Sequence, residues 1–162
     1  LNGREGVSIA NYNCPGQIVI TGEAAAVAEA GTALKEAGAR RVLPLKVSGP
    51  FHSPMMRPAG EELAKVFARV SMNPLKIPYV ANINEEVITD CGRIEGLLVD
   101  QISGSVRWQQ SVETMIREGV DTFVEIGPGK TLTGFLRKID KNVKAYHIGS
   151  WEEAVQVCEE LK

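Results

Sequence analysis

Asp121-Thr122-Phe123-Val124-Glu125-Ile126-Gly127-Pro128-Gly129-Lys130 reads as strand, tight turn and helix start. Its first six residues are rich in β-branched and aromatic side chains, which predicts a strand of the buried type. Gly127-Pro128-Gly129 ends it, because Pro fixes φ and Gly tolerates left-handed backbone. A helix over 130–138 and a last strand over 143–148 follow. Strand, helix and strand in succession are the signature of an α/β layer fold with a largely parallel sheet. Ser150-Trp151-Glu152-Glu153 has the pattern of a capping box opening a C-terminal helix.

Upstream, the pattern predicts a helix over 111–118 closed by Gly119 and another over 92–102 through Ile94, Leu97, Leu98 and Ile102. A short strand over 77–81 has Pro78 near its start. A helix over 59–70 sets Leu63, Val66, Phe67 and Val70 on one face, with a Glu61–Lys65 pair on the other. Ser48-Gly49-Pro50-Phe51-His52-Ser53-Pro54 is a loop of restricted shape. The first 47 residues are more α+β. They read as strands over 7–11 and 17–21 about the turn Asn13-Cys14-Pro15-Gly16, a helix over 23–37 stopped by Gly38, and a strand over 41–47.

At 162 residues the chain has the size of one domain or a little more, and 44% hydrophobic with 23% charged residues is an ordinary globular mixture. Eighteen Lys and Arg against 20 Asp and Glu argue against nucleic acid as a partner, and 6% aromatics are too few for a base-stacking platform. No apolar run approaches the roughly 20 residues that span a bilayer. Cys14, Cys91 and Cys158 are dispersed, which suits a reducing cytoplasm and not a disulfide framework. With only His52 and His147, no metal-ligand spacing is present. The start, Leu1-Asn2-Gly3-Arg4-Glu5-Gly6, lacks an initiator Met and a signal-peptide pattern, and reads as a chain entered in its middle.

Gly127-Pro128-Gly129-Lys130-Thr131 fails as a phosphate loop, since Val124 stands where the Walker pattern needs its first Gly. It fails as a dinucleotide fingerprint because Leu132 stands where a Gly is needed. The turn's helix amides nonetheless remain available to a ligand. His52 is the candidate general base, in a constrained loop at the end of a predicted strand. His147, in an apolar strand, reads as structural, and Asp90, Asp100, Asp121 and Asp140 as caps and solvated charges. Cys14 reads as a small buried residue, with a Cys14/His52 thiol enzyme as the alternative. No Gly-x-Ser-x-Gly elbow exists in the sequence, so a base is present without a serine nucleophile.

Four ordered segments resemble one family closely. They are Asn11-Tyr12-Asn13-Cys14-Pro15-Gly16-Gln17, the run from Leu45 through Ser48-Gly49-Pro50-Phe51-His52-Ser53-Pro54 to Met56, Ser105-Val106-Arg107-Trp108, and Glu125-Ile126-Gly127-Pro128-Gly129-Lys130 with Leu132 and Gly134. The family is the bacterial malonyl-CoA:acyl carrier protein transacylase of type II fatty acid synthesis. The resemblance implies an α/β-hydrolase-like large domain with an inserted ferredoxin-like small domain. Residues 1–47 would be the C-terminal part of the small one, and residues 48–162 the C-terminal part of the large one. It implies a ping-pong transfer of malonyl from coenzyme A to the phosphopantetheine thiol of acyl carrier protein, with no bound cofactor. His52 would be the base, oriented by the main-chain carbonyls of Asn13 and Gln101, and Phe51 would shape the substrate pocket. The serine, the malonyl-binding arginine and the oxyanion donors would belong to an N-terminal half of the same enzyme, absent here. This chain alone would then be inactive, and would expose apolar strand edges. The alternative is a non-catalytic docking module on which Arg40 and Arg41, with Lys46, Arg57 and Lys130, meet an acidic carrier protein.

Overall fold

In a computed structural model that describes residue 1 and residues 3–162, the chain is a mixed α/β structure. Strands β1 (Val7–Cys14) and β2 (Gln17–Gly22) form an antiparallel hairpin, followed by α1 (Ala24–Glu36). The predicted turn is confined to Pro15 and Gly16, because Asn13 and Cys14 are taken into β1. Bulges between Ile9 and Asn11 and between Tyr12 and Cys14 break the ladder. At the first bulge Ala10 O accepts from Val106 N at 2.7 Å, and Tyr12 N donates to Val106 O at 2.8 Å. The Ser105 hydroxyl adds a bond to Ile9 O at 2.6 Å. The bulge thus turns β1 toward a segment almost a hundred residues away.

Helix α2 (Arg57–Phe67) follows a single 3₁₀ turn over Pro54–Met56. Next come the short antiparallel pair β3 (Tyr79–Val80) and β4 (Val87–Ile88), then α3 (Ile94–Ser103) and α4 (Trp108–Arg117). Strands β5 (Thr122–Ile126) and β6 (Lys144–Ile148) pair in parallel around α5 (Thr131–Ile139), and α6 (Trp151–Glu160) closes the chain. Gly38 and Gly119 sit just beyond α1 and α4 with φ +94°, as the helix-stop reading requires. Asp90 accepts from Gly92 N and caps the 3₁₀ turn over Cys91–Arg93, whereas Asp140 accepts from Asn142 N in the turn after α5.

Four expectations are corrected. Residues 41–47 form no strand: Leu43, Leu45 and Val47 are 66%, 59% and 64% exposed. A strand needs a neighbour for its backbone groups, no described segment pairs with this one as a strand although Val42 packs beside Gly31 of α1, and Pro44 has no N–H to give. The second half shows no single, largely parallel sheet, since among the described residues the parallel ladder β5–β6 and the two-residue antiparallel pair β3–β4 stand as separate sheets. β5 is not of the buried type, because Ile126 is 77% exposed and Val124 37%. On α2, Leu63 and Phe67 are half-buried while Val66 faces outward, Val70 lies exposed beyond the helix end, and Lys65 pairs with Glu62, not Glu61. The three-residue spacing puts Glu62 as near to Lys65 as the four-residue spacing puts Glu61, and an exposed pair of this kind adds little stability.

The buried apolar residues are aliphatic or Cys and distributed, with Ala10, Cys14, Ala30, Ala81, Ile88, Val112, Leu136 and Val157 spread over strands, helices and loops. Among the described residues no helix is long and apolar enough to cross a membrane.

Candidate active site

The two histidines present opposite ring nitrogens to main-chain carbonyls. His52 Nδ1 lies 3.0 Å from Gln101 O. A carbonyl oxygen only accepts, so Nδ1 carries the proton and Nε2 is left with its lone pair. Gln101 belongs to the last turn of α3, where main-chain carbonyls have no partner further along the helix. The negative end of α3 therefore faces the protonated edge of the ring. His147 is the reverse: Nε2 lies 2.9 Å from Gly127 O, so Nε2 carries the proton there. Its Nδ1 points inward, 3.4 Å from Glu153 Oε2. His147 thus ties β6 to the turn after β5, as its structural reading expects, whereas His52 leaves a basic nitrogen unengaged.

The loop that carries His52 is built to hold it. Its φ is +58°, in the left-handed region that residues with a Cβ rarely enter. Ser53, 1% exposed, donates its hydroxyl to Pro50 O at 2.6 Å across the histidine. Helix α2 begins five residues after His52 and packs on α3, which carries Gln101. The contact is close because Gly60 has no side chain: a Cβ there would stand 3.2 Å from Val99 O.

The other site expectations find the following places. Asn13 sits at the second bulge of β1, and no hydrogen bond joins it to His52 among the described residues. Phe51 is 47% exposed, its ring lying over Gly49. Arg40 and Arg41 are exposed, with no ion-pair partner among the described residues. The Cys14 thiol is buried, 3.8 Å from Gln17 Oε1, and no hydrogen bond joins it to the imidazole among the described residues. The described residues hold no group of three or more His, Cys, Asp and Glu side chains suited to a metal.

The start of α5 is not open to a ligand, because Glu125 occupies it. Its carboxylate accepts from Leu132 N at 3.0 Å, Thr133 N at 2.7 Å and the Thr133 hydroxyl at 2.6 Å. A carboxylate from the preceding strand thus caps the helix that an anionic ligand would otherwise meet. Sequence reasoning missed this role; the one available signal was a strand acid placed seven and eight residues before the helix amides. Burial pushes the Glu125 carboxyl up, but the Thr133 and Leu132 donors and nearby His147 outweigh it and hold it below the ordinary carboxylate range. A lowered native pKa means stability fully present above the ordinary carboxyl value of about 4.5 and lost as pH falls from there through the lowered native one. Glu125→Ala is expected to cost about 1.5 kcal/mol at pH 7, roughly 4 °C in Tm. Thermal melts across pH should show the gap between wild type and variant closing in acid; a constant gap would refute the cap.

Comparison with known proteins places the chain in a class. The fold is that of acyl-transferring α/β proteins. An acyl-carrier-protein S-malonyltransferase from Bartonella henselae superposes with a TM-score of 0.91 at 41% identity, over 96% of this chain and 49% of that one. A type II PKS acyl-carrier protein in complex with its malonyl-transacylase matches with a TM-score of 0.92 at 38% identity, over 95% of this chain and 50% of that chain. Residues 1–157 match the acyl transferase domain family, and the chain belongs to it. Among curated relatives, the malonyl CoA-acyl carrier protein transacylase of Bacillus subtilis (strain 168) is 41% identical over 96% of this chain and 49% of its own length. The chain spans about half the length of the curated relatives it matches.

Proposed function

We propose that this chain is the histidine-bearing part of a malonyl-CoA:acyl carrier protein transacylase, with His52 as its general base and acid. The observation that carries the reading is the His52 Nδ1–Gln101 O bond, which frees Nε2 to take a proton in a chain 41% identical to a transacylase. The nucleophile is a serine outside these 162 residues, since the sequence has no serine elbow. Nε2 takes the hydroxyl proton as the serine oxygen attacks the malonyl thioester carbonyl. The tetrahedral intermediate collapses, the C–S bond breaks, and the same proton passes to the coenzyme A thiolate. In the second half Nε2 takes the proton of the phosphopantetheine thiol. The thiolate attacks the malonyl ester, and the proton returns to the serine oxygen. Gln101 O at the α3 terminus takes the place of a triad carboxylate, keeping the tautomer and facing the imidazolium that forms.

In this reading residues 1–47 belong to a ferredoxin-like small subdomain and residues 48–162 to an α/β-hydrolase-like large domain. The exposed, extended segment bearing Leu43, Leu45 and Val47, and the exposed Ile126 at the end of β5, support it as surfaces that take further strands. Asn13 adds a second main-chain acceptor for the imidazole once the site is complete, and Phe51 bounds the acyl pocket. Three free cysteines fit a reducing cytoplasm. The test is malonyl transfer by the polypeptide that carries both the serine and these residues, with His52 replaced; transfer within about 10-fold of the parent rate would refute the base.

A second reading, a docking module for an acidic carrier protein, is favoured by exposed Arg40 and Arg41. Reversing both charges is expected to raise the carrier protein's KM about 5-fold at low salt and to leave malonyl loading from coenzyme A unchanged. An unchanged KM would remove this surface from the docking role.

A further inference from the structure

We propose that the Ser53 hydroxyl is a positioning group that holds the His52 imidazole against Gln101 and so sets its basic tautomer. The proposal rests on the reading of His52 as the base. Ser53 stands directly before the 3₁₀ turn Pro54–Met56, where a serine hydroxyl ordinarily points forward to cap the turn's amides. It does not: no side-chain capping bond is made, and the Ser53 carbonyl takes the Met56 amide at 2.9 Å. The hydroxyl points backward instead, to Pro50 O at 2.6 Å, in a place 1% exposed.

Between donor and acceptor lie only Phe51 and His52, and His52 holds φ +58°. The bond therefore closes a ring around the one residue in that segment whose backbone is unfavourable. Pro50 contributes a ring-fixed φ, which removes one of the two backbone torsions that place the accepting carbonyl. Without the hydroxyl, His52 is free to relax toward negative φ. That rotation would carry the imidazole off the end of α3, and Nδ1 would lose the carbonyl that keeps its proton. Nothing else among the described residues bonds the His52 ring.

The test is long-range proton–nitrogen NMR of the two imidazoles in the 162-residue chain. Wild type should show His52 protonated on Nδ1 and His147 on Nε2. Ser53→Ala should move the His52 ring nitrogens toward the averaged pattern of a free imidazole and leave His147 unmoved. An unchanged His52 pattern would overturn the proposal. So would equal loss at both histidines, which would assign Ser53 to the fold as a whole. In the polypeptide that also carries the serine, Ser53→Ala should lower kcat by about 10-fold with KM for malonyl-CoA within about 2-fold. If His52→Asn left transfer intact there, the base reading would fail while the NMR result would stand on its own.

Discussion

Malonyl transfer is expected to fall about 10³-fold when His52 is replaced by alanine, in the polypeptide that carries both the serine and these residues. The magnitude follows from what the imidazole supplies: proton removal from a hydroxyl that is otherwise a poor nucleophile, and proton delivery to a departing thiolate. KM for malonyl-CoA should change little, because the lost interaction exists mainly in the transition states. His52 sits at φ +58°, which alanine tolerates less well than histidine, so His52→Asn is the matched control. Asparagine enters the left-handed region readily and has no basic nitrogen. Both variants should lose transfer alike; activity retained by His52→Asn would mean that the alanine effect comes from the backbone and that His52 is not the base.

The second large effect concerns the chain by itself. Incubated with radiolabelled malonyl-CoA, the 162 residues alone are expected to acquire no acid-stable, base-labile label and to transfer none to carrier protein. A base without its nucleophile forms no acyl-enzyme, and losing the nucleophile from such a site costs several orders of magnitude. Addition of a polypeptide segment bearing the serine elbow should restore labelling, and the label should map to that serine and not to this chain. Label on Cys14 would instead support the thiol alternative. The geometry argues against that outcome, since the Cys14 thiol is 2% exposed and engaged with Gln17. Near-full turnover by the chain alone would overturn the assignment of the nucleophile elsewhere.

Much of the local structure was legible because it depends on neighbours in sequence. Gly38 and Gly119 stop helices by what glycine permits in their own backbone. Ser150 accepts from Glu153 N at the start of α6, and Glu153 reaches back to Gly149 N, one residue short of the predicted box. Residues 41–47 have the composition of a strand and are not one, because a strand is completed by a partner that composition does not name. The availability of the amides at the start of α5 was misread for a similar reason. Glu125 sits in a strand, and only the turn of Gly127-Pro128-Gly129 folds its carboxylate back onto them.

The sequence by itself determined the order of the six α-helices, the family's motifs and the choice of His52 as the candidate base. Those depend on residue type and spacing, which a chain carries in any conformation. Only the tertiary structure decided which nitrogen of His52 is basic. That choice is made by Gln101 O, a main-chain carbonyl at the end of α3. Every residue has such a carbonyl, so residue type does not mark it; the family resemblance named Asn13 and Gln101, and the fold sets Gln101 O against Nδ1. Its role arises from the packing of α2 on α3 at Gly60 and from a loop that keeps His52 at a positive φ.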